Sequence, residues 1–252
     1  PEKSMKIAWL RNQIVDVDGT PLGTAVRPTL HEVAYDLSPA EVALQKNIEA
    51  LNGTFTPDNP SEFLMVDSLR RSCQSSPAAL ERTLRAISMR NGNAAEVDGR
   101  DNVDDYFSDE TEAIQKESSL SQEVFKHVDK LIQEIEQVTD DGKLTAFVNL
   151  LLEPTMVAES SRKVCVVTEY LATLYYLAAE VEEKGIPFDL MHGGMNVEER
   201  GAVLTKRSNE AGLLLATRAS MIEGFDLPEF SDLVLYDIPN TKSGIELVIA
   251  RF

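Results

Sequence analysis

Cysteine is scarce: Cys73 and Cys165 are the two in 252 residues, far apart and without CxxC-type spacing. That pattern excludes a disulfide framework and gives no zinc signature. Three histidines, His31, His127 and His192, stand alone and form no ligand cluster. No apolar run approaches the ~20 residues that a membrane span needs, and no signal-peptide pattern opens the chain. The expected setting is therefore a reducing cytoplasm, with no membrane partner. No G-x-x-x-x-G-K-[ST] phosphate loop occurs either. Asn52-Gly53-Thr54 fits a glycosylation sequon, but without a secretory signal it reads as a chance match.

Positive charge is the other deficit. Lysine and arginine number 24 against 42 aspartates and glutamates, a net charge of −18. A protein that grips nucleic acid over a broad face is ordinarily basic, so any phosphate contact here must rest on local donors. Part of the acidity is concentrated: from Glu96 to Asp141 there are 15 acidic against four basic residues, a segment net of −11. Such a run reads as a solvated helix face or a loop.

What is present is an ordinary globular composition, 43% hydrophobic and 26% charged. A chain of this size can bury roughly 70–75% of its unfolded surface, so one large domain or two small ones can form a core unaided. The first part reads as mostly helical. An apolar piece, Met5 to Leu10, is followed by a turn at Asp18-Gly19-Thr20-Pro21, and Leu30 to Leu37 reads as extended. Ser38-Pro39-Ala40-Glu41 is a helix start, with a Ser cap, Pro at the first helical position and Glu completing a capping box. That helix is expected to run to Leu51, before Asn52-Gly53. A second begins at Ser61, and a third is capped by Ser75-Ser76-Pro77 with Leu80, Leu84 and Ile87 on one side. The acidic stretch Asn91 to Asp109 is expected to be a loop. Val124, Val128, Leu131, Ile132 and Ile135 mark another amphipathic helix, ending at Asp140-Asp141-Gly142.

After Asp141 the pattern changes. A helix with Leu144 and Phe147 leads to a buried strand, Val164 to Thr168. Strands follow at Phe188 to Met191, Leu213 to Ala216 and Leu233 to Tyr236, separated by helical stretches. Alternation of this kind implies βαβ units and a parallel sheet. The division is therefore 1–141, mostly helical, and 142–252, α/β. In open α/β sheets ligands gather at the carboxyl ends of the strands. The stretch from Thr217 to Asp237, TRASMIEGFDLPEFSDLVLYD, puts its polar groups at the carboxyl end of the Leu213 strand.

Several segments together carry a family resemblance. VCVVTEYLATLYYLAAEV resembles helicase motif IV; LMHGGMNVEERGAVL resembles the turn and helix that follow it; LLLATRASMIEGFDLPEFSDLVLYDIP is closely similar to motif V. In this order they resemble the second RecA-like lobe of superfamily two helicases and their SWI/SNF-type translocase relatives. HEVAYDLSPAEVALQKNI and LRRSCQSSPAALERTLRAI are similar to the helical segment linking the two lobes in bacterial translocases of the RapA-like, RNA-polymerase-associated group. The resemblance implies a RecA-like parallel sheet flanked by helices, a P-loop NTPase-like second lobe preceded by a mostly helical segment. It also implies that ATP and Mg²⁺ are bound mainly by a first lobe absent from this chain. Asp109-Glu110-Thr111-Glu112 is no substitute for that lobe's metal-binding box, since no apolar strand presents it. The chain stops at Ala250-Arg251-Phe252, inside what resembles motif VI, with Ala250 where Gly is usual and Leu247 where Gln is usual. The expectation is a piece of a longer polypeptide.

By the same resemblance Arg251 is the catalytic residue, reaching the γ-phosphate, and Gly224 and Asp226 line the nucleotide side of the cleft. Glu223 would hold the motif V loop in shape. Thr168, His192, Gly193, Gly194 and Thr217 are the nucleic-acid candidates, holding the backbone of double-stranded DNA through hydroxyls and N–H groups. Plainer readings stand beside these: strand-end caps for Thr168 and Thr217, a turn for His192, Gly193 and Gly194, and a surface arginine for Arg251. Arg218 stands where the family often has Asp. The implied partners are the first RecA-like lobe, duplex DNA and RNA polymerase. The parent is expected to hydrolyse ATP and this chain alone is not. A second reading is a non-catalytic module that docks a protein such as RNA polymerase. A third, a small-molecule α/β enzyme, needs a nucleophile–base pair or metal ligands at the strand ends, and the sequence offers neither.

Overall fold

The computed structural model describes residues 3–7, 30–51, 60–88, 122–153, 162–222, 227 and 229–252. The expected turn at Asp18-Gly19-Thr20-Pro21, the break at Asn52-Gly53 and the acidic stretch Asn91 to Asp109 lie outside these residues, as does Asp109-Glu110-Thr111-Glu112. The chain forms two compact units, residues 36–143 and residues 1–35 together with 144–252.

The unit of residues 36–143 holds helices α1 (Pro39–Leu51), α2 (Pro60–Ser75), α3 (Pro77–Ser88) and α4 (Gln122–Ile135). Each buries one stripe. Leu44, Ile48 and Leu51 of α1 meet Met65, Val66 and Leu69 of α2, Leu80, Leu84 and Ile87 of α3, and Val128, Leu131 and Ile135 of α4 in one core. These are the three- and four-residue spacings of an amphipathic helix. The capping box forms as the sequence predicts: the Ser38 N–H donates to Glu41 Oε2 at 2.7 Å, and the Glu41 N–H to Ser38 Oγ at 3.3 Å. Ser76 Oγ likewise accepts the Ala79 N–H at 3.1 Å, capping α3. Lys143 is buried with its charge satisfied, donating from Nζ to the carbonyls of Gln74 and Ser75 at 2.9 and 3.1 Å. These are carbonyls at the end of α2, which a helix leaves without intrahelical partners.

The other unit is built on a sheet. Its strands are β1 (Lys3–Ile7), β2 (His31–Tyr35), β3 (Lys163–Thr168), β4 (Phe188–Met191), β5 (Gly212–Thr217) and β6 (Asp232–Leu235), in the order β2-β1-β6-β3-β5-β4. The last four are mutually parallel: β3 lies between β6 and β5, and β4 pairs outside β5. Helices α5 (Gly142–Leu152), α6 (Leu171–Glu183), α7 (Val197–Asn209), α8 (Arg218–Ile222) and α9 (Lys242–Ile249) accompany it. The continuous apolar runs of β3 and β5 reflect burial on both faces. Cys165 and Val167 of β3 pack into a cluster with Leu214, Ala216, Leu233, Leu235, Val248 and Ile249. The alternate residues Val164 and Val166 are equally buried, as the two-residue period of a strand requires. Phe147 of α5 meets Tyr236 edge-on, ring centroids 5.5 Å apart.

The sheet also takes in residues near the start of the chain. The described part of the mostly helical segment 1–141 also carries two strands, β2 falling within the extended Leu30 to Leu37: β1 pairs antiparallel with β6, Ile7 opposite Val234, and β2 pairs antiparallel with β1 at the sheet edge. The partner of β1 at the far end of the chain is not revealed by any local periodicity in a five-residue strand.

Candidate functional site

The carboxyl ends of the four parallel strands are joined by a line of hydrogen bonds. Thr168 ends β3 and Thr217 ends β5, and the two are paired across the ladder. The Thr168 hydroxyl donates to Asp237 Oδ2 at 2.6 Å, and the Glu169 N–H donates to the same oxygen at 2.9 Å. Asp237 lies just past β6, where the Tyr236 N–H also donates to the Val167 carbonyl at 2.9 Å. The end of β6 is thus sewn to the end of β3. Charge-assisted bonds to a carboxylate are the stronger kind.

Glu169 passes the line on to β5. Its carboxylate receives the Arg218 guanidinium in two-pronged fashion, Nε to Oε2 at 2.6 Å and Nη2 to Oε1 at 2.6 Å. The hydrogen bond to Glu169 holds the Arg218 guanidinium above its ordinary pKa, against a lowering by burial. Two residues on, the Ser220 hydroxyl lies 2.7 Å from the Thr217 carbonyl and 3.1 Å from that of Met191, the last residue of β4. One shared proton therefore bridges β5 and β4. The Thr217 hydroxyl is buried and has no hydrogen-bond partner among the described residues.

His192, Gly193 and Gly194 follow β4 directly, in a turn closed by the Met195 N–H donating to the His192 carbonyl at 3.1 Å. The His192 ring meets the exposed Tyr175 of α6 edge-on, centroids 6.2 Å apart. Asn196 then starts α7 with a full capping box, its side chain accepting the Glu199 N–H at 2.9 Å and its own N–H donating to Glu199 Oε2 at 2.8 Å. Arg251 lies in the turn after α9, and its carbonyl accepts the Leu227 N–H at 2.6 Å. Phe252 meets Phe230 edge-on at 6.4 Å.

The structure therefore brings Thr168 and Thr217 side by side and sets His192, Gly193 and Gly194 at the neighbouring strand end. It ties the backbone of Arg251 to the segment resuming at Leu227. Glu223, Gly224 and Asp226 lie outside the described residues. Two residues outside the sequence candidates, Glu169 and Asp237, are central to the hydrogen-bond line, as is Arg218, which stands where the family often has Asp. The signal in the sequence is an acidic residue just past an apolar run, as in VCVVTE and LVLYD. Among the described residues no group of three or more His, Cys, Asp or Glu could hold a metal ion, and no helix is long and apolar enough to cross a membrane. Burial in β3 pushes the Cys165 thiol pKa far up, so it is a core residue without nucleophilic character.

The family described as helicase conserved C-terminal domain matches residues 142–252. The chain is similar to an uncharacterized ATP-dependent helicase, YqhH, of Bacillus subtilis, with 25% identity over 219 residues, covering 87% of this chain and 33% of that protein. Among solved structures it resembles the Pyrococcus furiosus Hef helicase domain, with a TM-score of 0.51 and 16% identity over 86% of this chain and 51% of that one. It also resembles the C-terminal part of the Fun30 ATPase domain, with a TM-score of 0.50 and 14% identity over 86% of this chain and 77% of that one. Likeness at such identity is likeness of fold. The chain spans a third of the length of YqhH and half that of the Hef helicase domain. Residues 142–252 thus match the helicase C-terminal domain model, and their four parallel strands with flanking helices share the RecA-like fold of these solved structures.

Proposed function

We propose that this chain supplies the second motor lobe of an ATP-dependent DNA translocase of the SWI/SNF type, in the bacterial RapA-like group. In this reading a first RecA-like lobe holds ATP and its Mg²⁺, and the lobe described here closes on them. In the same reading the functional division falls near Asp141, which the helicase match over residues 142–252 supports. Phosphoryl transfer in such motors depends on positioned charge rather than covalent chemistry from the protein. Arg251 would approach the γ-phosphate, with Gly224 and Asp226 lining the nucleotide and Glu223 shaping the loop. Since the Arg251 carbonyl accepts from Leu227, the end of that loop and the arginine segment share a backbone tie.

The opposite task, contact with the backbone of duplex DNA, falls to Thr168, His192, Gly193, Gly194 and Thr217. The observation that carries this is the line of hydrogen bonds across the ends of β6, β3, β5 and β4. It fixes the strand ends relative to one another, so a phosphate would meet groups already ordered, with the Thr168 hydroxyl first giving up Asp237. With a net charge of −18, the chain alone should bind DNA weakly and lose that binding steeply with salt.

The test is ATP hydrolysis with and without duplex DNA. This chain alone should hydrolyse essentially nothing, and the polypeptide that pairs it with a phosphate-loop lobe should show DNA-stimulated turnover. A docking module for RNA polymerase is the competing reading. It predicts no turnover in any form and stable capture of purified polymerase.

A further inference from the structure

The Arg218–Glu169 pair lies at the junction of the two central strand ends, and its geometry is more demanding than that of a chance surface contact. Both side chains are about a third exposed, 29% and 33%, and they meet through two guanidinium nitrogens. Glu169 is itself held in place, because its N–H is bound to Asp237 next to the Thr168 hydroxyl. Arg218 is fixed from the other side, directly following Thr217 of β5. A planar guanidinium fits a carboxylate and a phosphate equally well, two-pronged in each case. In a lobe so rich in carboxylates, an arginine at this end is a scarce resource for phosphate binding, and it is occupied from within.

We propose that Glu169 is an internal stand-in for a nucleic-acid phosphate, holding Arg218 in reserve until the sugar–phosphate backbone displaces it. This rests on the reading of the strand ends as the nucleic-acid face and adds to it a competition built into the site. Arg218 becomes a backbone-binding residue and Glu169 a positioning residue that sets the threshold for engagement. The exchange forms no covalent bond. One charge-assisted pair is traded for another, and Glu169 is released to water across its exposed edge. The device makes weak or transient encounters unproductive, since only a phosphate held by neighbouring donors can outcompete a tethered carboxylate.

The experiment is fluorescence anisotropy of a dye-labelled 20-base-pair DNA duplex, titrated with the 252-residue chain across a salt series. Glu169→Gln should tighten binding several-fold, and Arg218→Gln should weaken it and lower the log–log salt slope by about one. The double variant should show none of the gain of Glu169→Gln, because the arginine it frees is gone. Glu180→Gln, a charge removal on α6, should give little change, which separates release of Arg218 from a general loss of negative charge. Arg218→Lys should recover part of the binding lost in Arg218→Gln. Thermal unfolding of each variant controls for folding. If Glu169→Gln leaves binding unchanged, or tightens it equally without Arg218, the competition does not exist. If neither the wild type nor Glu169→Gln binds the duplex at low salt, the nucleic-acid reading falls, and this proposal with it.

Discussion

Thr168 and Asp237 join the ends of β3 and β6 through a 2.6 Å hydrogen bond, and the carboxylate also receives the Glu169 N–H. Neither residue is near the other in sequence, yet together they hold the strand ends on which the proposed nucleic-acid contacts rest. Asp237→Ala should therefore cost more than Thr168→Val. The first leaves two donors without their acceptor, one of them the buried Thr168 hydroxyl, at about 1–3 kcal/mol for each buried group left unsatisfied. The second removes one donor and keeps the shape. Urea unfolding of both variants checks the order. Equal costs would mean that the Asp237 carboxylate does not organise the strand ends.

Gly212 opens β5 with φ at 130°, a backbone conformation that side-chain-bearing residues rarely adopt. A Cβ there would also collide with the Pro187 carbonyl and Arg207 Nη1. Arg207 is buried and holds Asp189 at 2.6 Å and the Ala211 carbonyl at 2.7 Å, so it has little room to yield. Gly212→Ala should destabilise by about 2–3 kcal/mol from strain and displaced contacts. Gly185 also has positive φ but has open space around it, so Gly185→Ala should cost less. Thermal melts of the two variants decide it.

Asp232 begins β6 fully buried, and that burial raises its pKa, countered by the hydroxyl of Ser231 and the guanidinium of Arg162. With the folded pKa above the unfolded one, the group's contribution is complete below the unfolded Asp range, near about pH 4. It is lost as pH rises through the raised folded value. The stability gap between wild type and Asp232→Asn should therefore move in favour of the wild type as pH falls from neutral. Denaturant titrations across that pH range test this, and a gap independent of pH would contradict it.

Much of the sheet was legible because buried parallel strands announce themselves. VCVVT and LLLA have no polar interruptions, and the helices between them carry amphipathic spacing and cap residues such as Asn196. The Ser38–Glu41 box was readable for the same reason, being a four-residue signal. What escaped was non-local. β1 meets β6 across most of the chain's length, and no local propensity encodes that choice of partner. Glu169, Arg218 and Asp237 each look like ordinary charged residues after a strand. Their linkage exists only once β6, β3 and β5 lie in that order, which the sequence leaves open among several arrangements.

We propose that this lobe serves a nucleotide held by another. That role is tested most directly by steady-state ATP hydrolysis, with and without duplex DNA, in the polypeptide pairing this lobe with a phosphate-loop lobe. Wild type should be stimulated by DNA, and Arg251→Ala should lose on the order of 10³-fold or more in turnover, as for loss of an arginine that stabilises phosphoryl transfer. Turnover that survives Arg251→Ala unchanged, or hydrolysis by this chain alone, would contradict it.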